Sequence, residues 1–106
     1  MADKTRIVVW YDAINNVCRV WPPWGIGATG DHVIWFNHTG QSMHVHVDKG
    51  VFKPANAPVD LDIDDNKHDK ADIDNGASPG NYLYNIYCNR TLSNAVGTSP
   101  PEIIVE

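Results

Sequence analysis

Gly30-Asp31-His32-Val33-Ile34-Trp35-Phe36-Asn37 is the stretch that decides the fold. A glycine-acid pair favours a turn, because glycine accepts positive φ and the aspartate side chain bonds its own backbone. The run that follows is rich in β-branched and aromatic residues, so a strand is expected over His32–Asn37. Working outward, similar runs predict strands at Thr5–Asp12, Val17–Trp21, Met43–Asp48, Asn81–Asn89 and Glu102–Val105. Asp12 to Asn16 reads as a hairpin connection, and Ser78-Pro79-Gly80-Asn81 as a turn before the most aromatic strand. Trp21-Pro22-Pro23-Trp24 cannot lie inside a sheet, since two prolines leave two ladder hydrogen bonds unmade. The most irregular part is Lys49 to Ser78, where one helical turn within Asp65–Asp72 is the only helix the pattern allows. The expectation is an all-β Greek-key sandwich of about seven strands, immunoglobulin-like in its layering.

The 106 residues suit one domain with one core, spanning residues 1–106. The formal charge is -5, and seven of the 13 acidic residues lie between Asp60 and Asp74. That balance argues against a nucleic-acid partner. No apolar run approaches the roughly 20 residues of a membrane helix, and Met1-Ala2-Asp3-Lys4 does not open a signal peptide. No membrane association is expected, and the location read from this is cytoplasmic. Cys18 and Cys88 are then expected as reduced thiols, a Cys18–Cys88 disulfide being the alternative for an exported chain.

The stretch from Gly30 to Asn37 resembles the strand that leads to the first copper ligand in plastocyanin- and azurin-type cupredoxins, with His44 following it. Pro79-Gly80-Asn81-Tyr82-Leu83-Tyr84-Asn85-Ile86-Tyr87-Cys88 is similar to the family's late strand, which runs into the ligand cysteine. Ile103-Ile104-Val105 matches its closing strand. The resemblance implies a cupredoxin-like sandwich. A looser similarity to the small bacterial DP-EP proteins implies a β-sandwich and no particular activity. Type 1 copper needs two imidazoles, a thiolate and a weak axial donor. The resemblance places only His44 and Cys88 on ligand positions. Thr91 stands where the second histidine belongs, and Asn94-Ala95-Val96-Gly97 replaces the stretch with the axial methionine. An electron-carrying copper site is therefore not expected.

His44 and His46 are the candidates for a different site. Residues i and i+2 of a strand share a face, about 6.5 to 7 Å apart, so both imidazoles can reach one ion. Cys88, His32, His38 or a carboxylate would complete the set, and copper or zinc would suit the donors. If Val45 and Val47 face the core, however, both histidines face outward and away from Cys88. Ordinary surface histidines are then the simpler reading.

Other motifs carry less. Gly25-Ile26-Gly27-Ala28-Thr29-Gly30 matches the dinucleotide glycine pattern, but no strand precedes it and no helix follows, so a flexible connection is expected. Asp60-Leu61-Asp62-Ile63-Asp64-Asp65 begins like a calcium loop, yet the sixth position is not glycine and the twelfth is Ala71. It reads as a solvated acidic loop or edge strand. Trp21 and Trp24 are candidates for stacking on a sugar or a peptide. Cys88 with a nearby histidine, in a setting made electropositive by Arg90, is the one pair for nucleophilic catalysis, and a buried structural cysteine is the better reading. The leading function is thus a non-catalytic structural or protein-interaction module, with a protein partner or a homo-oligomer and no cofactor. The alternative is a transition-metal protein binding Cu or Zn through His44, His46 and Cys88.

Overall fold

The structure is a computed structural model that describes residues 3–106. It contains β1 (Asp3–Asp12), β2 (Val17–Trp21), β3 (Trp24–Gly27), β4 (His32–His38), β5 (Met43–Val47), β6 (Val59–Ile63), β7 (His68–Asp72), β8 (Gly80–Leu83), β9 (Asn85–Cys88), β10 (Ser93–Asn94) and β11 (Glu102–Val105). These form three sheets, in the orders β2-β1-β4-β7, β10-β9-β5-β6 and β3-β11-β8. The all-β expectation holds. The strand count is higher than the seven expected because Asn81–Asn89 divides in two and several edge strands appear. Among the described residues no helical turn forms within Asp65–Asp72, where β7 stands instead.

Alternation explains the layering. Ile7, Val9, Val33 and Trp35 point inward from the first sheet and meet Met43, Val45, Val47 and Ile86 from the second. Ile103 and Val105 close one end from the third. Trp35 is fully buried, stacks edge-on against Phe52 and Tyr84, and donates its indole N–H to the Tyr84 hydroxyl at 3.0 Å. A buried indole needs such a partner, so the pair fixes the centre of the core.

Two short segments position the strands of interest. Asn37 is wholly buried and satisfies all its polar atoms. Its amide donates to the carbonyls of Gln41 and Ile63 at 2.7 and 2.8 Å, and its oxygen accepts from Thr39 N–H and Oγ1 at 2.9 and 2.7 Å. That knot shapes the turn from β4 into β5 and pins the end of β6 beside it. The glycine pattern, expected as a flexible connection, instead contains β3. A Cβ on Gly25 would lie 3.1 Å from both Ile103 and Val33, so this glycine permits close packing of sheets.

Cys18 and Cys88 are joined in a disulfide, which corrects the expectation of free thiols. Both are buried, Cys18 on β2 of the first sheet and Cys88 on β9 of the second. The bond therefore staples one layer of the sandwich to the other. Val96 adds to the same region, exchanging backbone hydrogen bonds with Cys18 and Val20 along the free edge of β2.

Candidate metal centre

β5 and β6 run antiparallel with His44 opposite Asp62, Val45 opposite Leu61 and His46 opposite Asp60. Met43, Val45 and Val47 are buried, so the period-two alternation turns His44 and His46 outward. Asp60 and Asp62 face them from the edge strand, both exposed. Two histidines thus meet two aspartates across one ladder, the favourable opposite-charge pairing of neighbouring strands.

The contacts are specific. His44 Nε2 lies 2.9 Å and His46 Nδ1 lies 2.6 Å from the same oxygen, Asp60 Oδ1. The remaining nitrogens have carboxylates of their own, Asp62 Oδ1 at 2.7 Å from His44 Nδ1 and Asp48 Oδ1 at 3.2 Å from His46 Nε2. A carboxylate at every ring nitrogen suits doubly protonated rings donating from both positions. Hydrogen bonds to Asp62 and then Asp60 raise the His44 pKa above its ordinary value. Asp60 and then Asp48 raise that of His46. Asp60, accepting from His46 and His44, is held below the usual carboxylate range.

His44, His46 and Asp60 each offer one ligand atom, and these lie within 4.8 Å of one another. Once the two shared protons leave, both imidazole lone pairs point at the Asp60 carboxylate oxygen, and an ion would enter among the three donors as that carboxylate draws back. Ligand bonds of about 2.0 to 2.2 Å place tetrahedral donors roughly 3.3 Å apart, so the hydrogen-bonded separations of 2.9 and 2.6 Å would widen to admit an ion. Two nitrogens and one oxygen suit Zn(II) or Cu(II), with a coordination position left open to solvent. Asp62 and Asp48 would hold the outer ring nitrogens, the usual arrangement around metal-bound histidine.

Cys88 does not join this group. Met43, not His44, stands opposite Cys88, and both are buried on the inner face. His44 lies beside Tyr87 on the other face. The placement of Cys88 as a metal ligand is corrected on two grounds: the strand register separates it from the histidines, and its sulfur is bonded to Cys18. Thr91 Oγ1 sits 3.9 Å from Cys18 Sγ. The other histidines are elsewhere: His32 contacts Asp72, His38 approaches Asn66, and His68 stacks on Phe36. Neither a thiolate nor an imidazole is available at the interior position.

Trp21 and Trp24 flank a cis Trp21–Pro22 bond, with ring centroids 5.8 Å apart and planes inclined by 62°. The rings meet edge to face, so they form no flat two-ring platform for a sugar. Sequence reading left Asp60 unassigned within an acidic run. Its signal was Asp-x-Asp alternation on a strand that pairs with His-x-His.

Among solved structures, the chain is similar to a Cu(I) form of an amicyanin variant at 20% identity and a TM-score of 0.60, covering 100% of this chain and 86% of that one. An oxidized amicyanin variant matches at the same identity, coverage and TM-score. The fold is cupredoxin-like. No protein-family model and no curated protein matches the sequence. At this identity the cupredoxin likeness concerns architecture alone, and function has to be argued from the side chains.

Proposed function

We propose that this protein binds a divalent transition metal, Zn(II) or Cu(II), on the outer face of its second sheet. His44 Nε2, His46 Nδ1 and the Asp60 carboxylate supply the ligands. The observation that carries the reading is the convergence of two imidazole nitrogens on one carboxylate oxygen, at 2.9 and 2.6 Å. Bound there, the ion would have nitrogen and oxygen donors only, which suits binding or delivery of the metal rather than blue-copper electron transfer. Asp62 and Asp48 would orient the rings, and His44 and His46 would release protons as the metal enters. The role proposed is metal binding rather than catalysis. The cystine supports an oxidising compartment rather than the cytosol.

Calorimetric titration of metal-free protein with Zn(II) and Cu(II) tests this. One equivalent should bind, and the His44→Ala/His46→Ala protein should lose that binding. Equal binding by the double variant would end the proposal. An intense thiolate-to-copper absorption band would point instead to a reduced Cys88.

A further inference from the structure

β6 and β7 follow one another in the chain but belong to different sheets. Each is the outermost strand of its own layer, and the two layers part between them. A groove of about 410 Å³ runs along that seam, a volume within the range of small-ligand sites. Its apolar part is the uncovered margin of the core. Ala71 is buried there, and Val59 and Leu61 pack half-buried against the same cluster. Its polar part consists of Lys53 and Lys70 with Asp60 and Asp72.

These four charges do not pair with one another. Asp60 is engaged by His44 and His46, and Asp72 by His32, so both carboxylates have imidazole partners from outside the groove. Among the described residues, neither Lys53 nor Lys70 forms an ion pair. On a chain with a formal charge of -5, two unanswered ammonium groups at one groove are a local excess of positive charge. Lys53 is fixed at the end of β7, where its backbone N–H donates to the Asp72 carbonyl at 2.9 Å. From this we infer that the groove binds a small organic carboxylate with an apolar body. The body would cover Val59, Leu61 and Ala71, and the head group would meet Lys53 and Lys70. An inorganic anion would leave the apolar margin in water, and a neutral or cationic molecule would leave the lysines unanswered. Both lysines are exposed, so solvent screens their attraction and the affinity should be modest. Asp60 borders this groove and the metal centre alike, but the inference does not require an ion.

Two-dimensional proton–nitrogen spectra of metal-free protein titrated with octanoate test it. Backbone amides of Lys53, Val59, Asp60, Leu61 and Ala71 should shift and saturate together, with a Kd on the order of 1 mM. Octylamine keeps the body and reverses the charge, whereas inorganic phosphate lacks the body. Each should bind at least about tenfold more weakly than octanoate. Lys53→Gln/Lys70→Gln should lose at least about tenfold in octanoate affinity, with circular dichroism confirming that the variant folds. Shifts that do not saturate, or that centre on another part of the sandwich, would overturn the inference. So would an unchanged affinity in the double variant, or binding of octylamine or phosphate as tight as that of octanoate. No arm contains metal, so the metal reading stands or falls on its own titration.

Discussion

Reducing the Cys18–Cys88 bond removes a cross-link without changing the volume of the core. The half-cystines are 70 residues apart in sequence. Closing a loop of that length lowers the chain entropy of the unfolded state by an amount worth about 4 kcal/mol at 25 °C. Total stabilities of single domains are typically about 5 to 15 kcal/mol, so the loss is a large share. With a urea m-value of roughly 1.3 kcal/mol/M, the midpoint should fall by roughly 3 M. The assay is urea unfolding followed by tryptophan fluorescence, with and without a phosphine reductant, redox state being checked by alkylation and mass measurement. The m-value should rise on reduction, because the unfolded chain then exposes more surface. Midpoints agreeing to within about 0.5 M would refute the entropic argument. Two alkylated cysteines in protein unfolded without reductant would refute the cross-link itself.

Three further outcomes are expected. In the metal-free protein, raised folded-state pKa values make His44 and His46 stabilising below the ordinary value of 6.5, and that stabilisation is lost as pH rises through the folded values. Asp60, held low, contributes above its ordinary 3.8 and loses its contribution as pH falls further. The midpoint difference between wild type and His44→Ala/His46→Ala should therefore be largest between those values and shrink toward alkaline pH; a difference that grows above pH ~8 would contradict this. Tyr84→Phe removes the acceptor of the buried Trp35 N–H and should cost about 1 to 3 kcal/mol in urea unfolding, against near-neutrality if the bond is unimportant. Asp62→Asn should weaken Zn(II) binding about tenfold while leaving one equivalent bound, and an unchanged affinity would show that Asp62 does not support His44.

Strands with alternating or aromatic inward faces were legible: β2 and β11 fall on their expected bounds, and β4 and β5 within one residue. The missed strands lacked that signal for physical reasons. β3 carries Gly25, where a Cβ would press on Ile103 and Val33, and Gly27, where it would press on Ile73 and Asp31. β7, His-Asp-Lys-Ala-Asp, sits at a sheet edge with one buried residue, Ala71. β6 showed its alternation, but pairing with β5 is a long-range fact that no local window contains. The same limit governed the site. Val45 and Val47 announced that His44 and His46 face outward, whereas placing Met43 beside Cys88 required the register of β5 with β9. The disulfide was open in the sequence because two cysteines do not state their separation in space.

The central claim concerns two particular nitrogens. A long-range proton–nitrogen correlation spectrum of the histidine rings, before and after one equivalent of Zn(II), reads them individually. The account predicts that His44 Nε2 and His46 Nδ1 take metal-bound shifts while His32, His38 and His68 stay unchanged. Shifts at the opposite ring nitrogens, at another histidine, or at none would contradict it.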